Sequence, residues 1–485
     1  MELYEFKAFE LSQMLNKKQI SSVDLVSSFV NRIKTVDDKL NSFITLCAES
    51  ALKQAETVDR KRLKGETLSL LAGIPIGIKD NISVKDVRMT CGSKMLENYI
   101  APYDATVVER LKNADSVIIG KMNMDEFAMG SSTQTSYFGA CRNPYDISRV
   151  AGGSSGGCAA AVSADMIPFA LGSDTGGSIR QPSSFCGIVG FKSTYGAVSR
   201  YGLTAFASSF DQVGPICKCV KDTAMLFDVI AGCDNRDSTS ADKHYGICFA
   251  NLCDDVKGLK IGVPWELFES ISQPDVFTGF KKSLKVFQDL GAQILDITIE
   301  NTKFALPAYY VISSAEASSN LARFDGVRYG YRADNCTDLN DMYIKSRSQG
   351  FGDECKRRIM LGTFVLSAGY YDAYYKKAVS AAKLIADSLN SLFEKVDIIA
   401  MPTSPETAFS VGDKLDNPVK MYQSDMFTIF ANLAGVPAIS VPCGADKIGL
   451  PIGLQLMANS FCEQTLLNAA FSFENAFDGI PKPRL

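Results

Sequence analysis

Apolar residues recur every fourth position through Leu25, Phe29 and Ile33, marking one face of a helix. Ser21-Ser22-Val23-Asp24 just ahead of them has the form of a capping box and predicts where that helix starts. A second helical pattern runs from Cys47 to Leu63 and ends near Gly65, so residues 1–65 are expected to be helical. From residue 70 the texture changes. LAGIPIGIKDNI is apolar, β-branched and glycine-containing, which suits a buried strand or strand end. A helix over 105–114, a strand over 116–119, and the short apolar runs MIPFALGS and LKIGVPW continue the alternation. Further on, the pattern predicts a helix over 276–290 and a strand over 293–299. A long helix over 370–394 leads into DIIAMPTS, and a last helix covers 463–477.

Helices alternating with short, wholly apolar strands predict an α/β fold with a mixed or largely parallel central sheet. The uncharged stretch 426–445 is long enough to span a bilayer, but Gly435-Val436-Pro437 interrupts it and Pro442 follows. It reads as a buried helix, a turn and a buried strand. No repeat, low-complexity tract or linker divides the chain. The tyrosine-rich, helical segment after residue 300 reads as a cap on the sheet.

Composition narrows the classes. With 485 residues, 46% hydrophobic and 21% charged, this is ordinary globular material. A net charge of −4 argues against a chain that holds nucleic acid by itself. One histidine and 14 scattered cysteines without a CxxC pair argue against a zinc site or any other metal site. The charged opening MELYEFKAFELSQMLNKKQ lacks the form of an export signal, which suits free thiols in a reducing cytosol.

Ser154 in AGGSSGGCAAA and Ser178 in GSDTGGSIRQPS each sit among glycines. Three readings compete. Glycines allow close packing while serines cap helices. A phosphate cradle is a second reading, although neither GxxxxGK[ST] nor GxGxxG is present. In the third, DTGGS aims successive N–H groups at one point as an oxyanion hole and supplies a nucleophile. The only histidine, His244, lies in the motif-free stretch SADKHYGICF and reads as a surface or loop residue, so a Ser–His–Asp triad is not expected. A lysine serves as base where burial lowers its pKa. Lys79, at the end of an apolar run, is the candidate; the pattern also allows it to face solvent at a strand end.

The stretch GGSSGGCAAAVSADMIPFALGSDTGGSIRQPSSFCG resembles the signature of the amidase-signature hydrolases without a gap from Gly152 to Pro182. That resemblance implies a Ser–Ser–Lys triad on Ser178, Ser154 and Lys79, with a cis peptide before Ser154. It also implies an oxyanion hole from the backbone of Thr175, Gly176, Gly177 and Ser178. PIGIKDNI, KMNMDEFAMGSS, YGLTAFASSFDQVGPI, SSAEASSNLARFDGVRYG, KRRIMLGTFVLSAGYYDAYYKKA and NLAGVPAISVPCG resemble, more narrowly, the A subunits of the aspartyl/glutamyl-tRNA amidotransferases.

This implies a cytoplasmic glutamine amidohydrolase working inside a heterotrimer with B and C subunits. L-glutamine would be bound by Arg358, Asp425 and Tyr309, with Met129, Gly130 and Ser131 lining the pocket. No cofactor belongs to this chain. ATP and Mg2+ are expected at the B subunit, which also holds the misacylated tRNA. The resemblance implies one large domain over 1–485, with N-terminal helices to 65 and a catalytic core over 66–300 carrying the signature at 152–182. A helical recognition insertion would occupy 300–395, and 396–485 would complete the core. The alternatives are a stand-alone amidase, which needs no Arg358–Asp425 pair, a binding subunit with a decayed site, and a nucleotide-binding protein.

Overall fold

A computed structural model describes every residue except Met1, His244 and Arg484, so the expectation for His244 lies outside the described residues. Thirteen strands form: β1 Phe43–Leu46, β2 Pro75–Lys79, β3 Val117–Met122, β4 Arg142–Asn143, β5 Asp146–Val150, β6 Phe169–Asp174, β7 Val189–Lys192, β8 Gln212–Cys217, β9 Lys260–Val263, β10 Gln293–Asp296, β11 Ile398–Pro402, β12 Ala438–Ala445 and β13 Pro451–Ala458. Eleven of them make one sheet in the order β1-β3-β2-β6-β8-β7-β12-β13-β11-β9-β10, while β4 and β5 pair as a separate hairpin.

The sheet is mixed. β2 runs parallel to β3 and β6, and β9 runs parallel to β10 and β11; the other pairs are antiparallel. Every residue of β2, β3, β6 and β8 is buried, as expected of strands covered by helices on both faces. That two-sided burial is why these strands read as continuous apolar runs rather than as alternation.

The N-terminal segment departs from the all-helical expectation. Ser21 caps the helix Ser22–Leu40, accepting from Asp24 N–H at 3.0 Å, and Leu25, Phe29 and Ile33 are buried. Asn41 then turns the chain with a left-handed φ of 55°, and Asp37 accepts the N–H groups of Ser42 and Phe43 at 2.8 and 3.1 Å. This turn feeds β1 antiparallel onto β3 at the sheet edge. Four residues between two helices carry too little periodicity to be seen in advance. The long helix of the cap starts at Lys376, later than the pattern predicted, because Tyr371–Tyr375 forms a π-helical turn ahead of it.

The stretch 426–445 folds as the helix Ile429–Leu433, a turn at Gly435 with φ 68°, and β12. No helix among the described residues is long and apolar enough to cross a membrane. The cap consists of the helices Ala305–Asn320, Leu339–Gly350, Asp353–Leu366 and Lys376–Leu392. Ala305–Asn320 packs on Asp353–Leu366, on Lys376–Leu392 and on Ile429–Leu433, joining the cap to the core. All 14 cysteines are free, and most are buried.

Candidate active site

β2 and β6 are parallel neighbours, so their carboxyl ends meet: Lys79 closes β2 and Asp174 closes β6. This is where open α/β sheets place their ligands. With all of β2 enclosed, the Lys79 side chain has no route to water and is 0% exposed. Its Nζ lies 2.8 Å from Ser154 Oγ, 2.9 Å from Ser173 Oγ and 3.2 Å from the Ser173 carbonyl. No carboxylate forms a salt bridge with it among the described residues. Burial lowers its pKa from 10.5 to about 8, leaving an amine that can be neutral near physiological pH.

Ser154 follows a cis peptide bond from Gly153. The next residue ties the two serine segments together, since Ser155 N–H donates to the Ser178 carbonyl at 3.2 Å. Ser178 is 9% exposed, and its Oγ makes no hydrogen bond to Ser154 or to any other described residue. The structure therefore joins Lys79 to Ser154 directly and brings Ser178 alongside through the backbone.

The DTGGS turn is fixed from inside by a buried charge pair. Asp174 accepts from Gly177 N–H at 2.9 Å and from Ile179 N–H at 3.2 Å. Arg180 is fully buried, and all five of its N–H donors are used. Two reach Asp174 at 3.0 and 2.9 Å; the others reach Thr428 O, Gln455 Oε1 and Asn432 Oδ1 at 2.8, 2.6 and 2.7 Å. Burial alone would raise the Asp174 pKa, but Arg180 holds it well below the usual carboxylate range.

The Gly177 N–H, one of the four oxyanion candidates, is thus committed to Asp174. The N–H groups of Thr175, Gly176 and Ser178 make no hydrogen bond to another described residue. A side chain would not fit on this turn: a Cβ at Gly176 would meet the Tyr309 hydroxyl at 2.4 Å, and one at Gly177 would meet Thr428 Oγ1 at 2.2 Å.

Beyond the turn opens a cavity of about 570 Å³ whose wall includes Gly130, Ser131, Tyr310, Glu354, Arg358 and Tyr422. Thr428 links the turn to Asp425, its hydroxyl donating to the Gly176 carbonyl and its N–H to the Asp425 carbonyl. Asp425 is 8% exposed and accepts from Ser131 Oγ at 2.6 Å and from Tyr310 OH at 2.7 Å. Burial raises its pKa to about 6 against these two bonds. Arg358 is 3% exposed. Its Nε donates to Glu354 Oε1 at 2.7 Å, and its guanidinium carbon lies 4.5 and 4.6 Å from the ring centres of Tyr310 and Tyr422. Its Nη1 is buried without a partner among the described residues. Burial opposes that charge, yet Glu354 and the tyrosines keep the arginine above its ordinary pKa.

The neighbouring Arg357 also lines the cavity and pairs with Glu354, but it is half-exposed where Arg358 is buried, which is what distinguishes two residues that the sequence leaves ambiguous. Met129 is buried and does not line the cavity, and neither does Tyr309, whose ring lies against the Gly176 turn. Lys79, Ser154, Ser178 and Asp425 lie outside the cavity wall as well, Asp425 touching it through Ser131 and Tyr310. Sequence reasoning missed Ser173, Tyr310, Glu354 and Tyr422. Ser173 sits inside the signature and carried a readable signal. Tyr310 could have been found only by asking which of two adjacent tyrosines faces the cavity.

The family model of the amidases matches residues 24–467. Two bacterial proteins named as A subunits of glutamyl-tRNA(Gln) amidotransferase are similar over their length. That of Caldanaerobacter subterraneus subsp. tengcongensis is 54% identical, covering 100% of this chain and 99% of the relative. That of Moorella thermoacetica is also 54% identical, covering 98% and 97%. Among solved structures, the glutamyl-tRNA(Gln) amidotransferase A subunit of Thermotoga maritima superposes with a TM-score of 0.83 at 40% identity, over 100% of this chain and 98% of that one. Peptide amidase from Stenotrophomonas maltophilia superposes at 0.86 with 27% identity, over 99% and 98%. The resemblance carried by residues 152–182 and the expected α/β fold are therefore borne out, and the chain belongs to the amidase family.

Proposed function

We propose that the chain is the glutamine-hydrolysing subunit of a tRNA-dependent amidotransferase and that its catalytic groups are Lys79, Ser154 and Ser178. As Ser178 Oγ attacks the carboxamide carbon of L-glutamine, its proton passes to Ser154 Oγ, and the Ser154 proton passes to neutral Lys79. The 2.8 Å contact between Lys79 and Ser154 supports the second transfer. The N–H groups of Thr175, Gly176 and Ser178 receive the oxyanion; losing one such donor lowers the rate by about 10²–10³. Collapse of the tetrahedral adduct returns the proton to the departing nitrogen, and ammonia leaves. Water then hydrolyses the glutamyl ester on Ser178 and frees glutamate.

The observation that carries the substrate assignment is a buried cation, Arg358, in the cavity wall and a buried anion, Asp425, bonded to the wall residues Ser131 and Tyr310. Arg358 offers the α-carboxylate a nitrogen with no partner among the described residues, and Asp425, 8% exposed behind Ser131 and Tyr310, is the anion for the α-ammonium. A general amidase has no need of both.

The relatives' names support the wider assignment: B and C partner subunits, and transfer of the ammonia to misacylated tRNA. ATP with Mg2+ is placed at the B subunit, and the assembly in the cytoplasm, as part of the same proposal. The test is acid-quenched incubation of the assembled enzyme with L-glutamine, followed by peptide mass analysis. A glutamyl ester on the Ser178 peptide, absent in Ser178→Ala, is expected. An adduct on another residue would overturn the assignment.

A further inference from the structure

Arg358 in the cavity wall and Asp425, which lies behind the wall residues Ser131 and Tyr310, share a support. Tyr310 and Tyr422 stack with ring centres 4.0 Å apart and planes inclined by 23°. Tyr310 reaches one way, donating to Asp425 Oδ2 at 2.7 Å. Tyr422 reaches the other way, donating to Glu354 Oε1 at 2.9 Å, the same oxygen that accepts from Arg358 Nε. The Arg358 guanidinium rests on both rings. Asp425 is therefore held by one hydroxyl and Arg358, through Glu354, by the other, and the two hydroxyls sit on one stacked pair. Tyr310 is on the helix Ala305–Asn320, Glu354 and Arg358 are on Asp353–Leu366, and Tyr422 ends the helix Pro418–Tyr422. The stack thus joins three separate elements around one cavity.

We propose that the Tyr310–Tyr422 stack, anchored through Glu354, is the positioning device that sets the separation between Asp425 and Arg358, so that the site selects the joined α-amino and α-carboxylate groups of an amino-acid amide over simple amides. This rests on reading the cavity as the glutamine pocket. Glu354 occupies Arg358 Nε, so a substrate carboxylate meets the terminal guanidinium nitrogens, of which Nη1 has no partner among the described residues. A rigid spacer makes discrimination collective: loosening one tyrosine shifts both charged groups.

The test compares Tyr310→Phe and Tyr422→Phe in the assembled enzyme. The substrates are L-glutamine, glutaramate, which lacks the amino group, and 4-aminobutanamide, which lacks the carboxylate. Each variant loses a single hydroxyl, and KM for glutamine is expected to rise roughly tenfold with kcat little changed, the effect of losing a hydrogen bond to a charged group. The decisive result is crossed loss. In both variants the preference for glutamine should fall against both truncated amides. If Tyr310→Phe affects only the amino group and Tyr422→Phe only the carboxylate, the two act locally and the spacer is refuted. Unchanged KM in both refutes it equally. Thermal unfolding reports whether each variant folds, and Tyr422→His, which keeps a flat ring and a donor, replaces Tyr422→Phe if that one does not. Wild-type enzyme that ignores glutamine would instead defeat the glutamine assignment, a separate outcome.

Discussion

Replacing Lys79 by methionine and varying pH tests the base by two independent routes. With a pKa near 8, about a tenth of Lys79 is neutral at pH 7 and about nine-tenths at pH 9, so kcat/KM of the wild type should rise roughly ninefold across that interval. The same group must leave a mark on stability. Its folded pKa lies below the unfolded value near 10.5, so between the two the unfolded chain binds the extra proton. Stability from this group is therefore fully present above 10.5 and is lost as pH falls through 8. Integrating from pH 7 to 9 gives about 1 kcal/mol gained by the wild type. Lys79→Met lacks that gain, keeps the stem volume and removes the need to bury a charge. Denaturant midpoints of both chains at the two pH values measure the difference, in which every other titrating group cancels. A wild-type-minus-mutant difference that stays flat over this range would refute a buried amine with a lowered pKa. So would a pH-independent kcat/KM.

Four further outcomes follow from the geometry. Lys79→Met and Ser154→Ala should each remove most glutaminase activity, and the double variant should be scarcely slower than either single one, because one relay is broken once; multiplicative losses in steady-state rates would show separate roles. Ser178→Ala should abolish glutamine-dependent amidation while ammonium salts restore it in the assembled enzyme, and failure of that rescue with tRNA and ATP still bound would exclude an ammonia-supplying role. As pH falls through 6, Asp425 takes up a proton and loses its hold on an ammonium, so KM for glutamine should climb in addition to the fall in kcat that protonation of Lys79 brings; a flat KM between pH 7 and 5 would contradict it. Arg180→Met strands the fully buried Asp174 and should lower unfolding free energy by about 3–5 kcal/mol, measured by urea denaturation.

The candidate catalytic groups could be named from the sequence because they are close together in it. Ser154 lies just ahead of the helix Gly156–Ser163, Asp174, Ser178 and Arg180 follow in the same stretch on the next strand, turn and helix start, and the strand that delivers Lys79 is a five-residue apolar run. Buried strands announce themselves by composition, and a lysine at the end of one has few places to go. Two details inside that stretch stayed hidden. Nothing in DTGGS says that the second glycine's N–H turns back onto Asp174, and nothing in GSDT says that Ser173 offers both its hydroxyl and its carbonyl to Lys79.

Recognition was legible only in part, because it is assembled from pieces far apart in the chain. Ser131, Tyr310, Glu354, Arg358 and Tyr422, with Asp425 behind them, come from a core loop, two cap helices and the short helical stretch 418–425. No local period marks a cluster built this way. The helix Ala305–Asn320 is buried on most of its circumference, so both Tyr309 and Tyr310 point into protein and periodicity cannot choose between them. The choice depends on the stack with Tyr422, more than a hundred residues later. The arginine pair was decided in the same way: Glu354 lies one helical turn before both Arg357 and Arg358 and accepts from each, and only packing on two tyrosine rings buries the second. The division has a physical cause. Attack on a carbonyl needs atoms fixed within hydrogen-bond distance, which a single tight turn against a strand end can supply. Reading both charged groups of a substrate needs two opposite charges held apart across a cavity, and a single turn cannot span one.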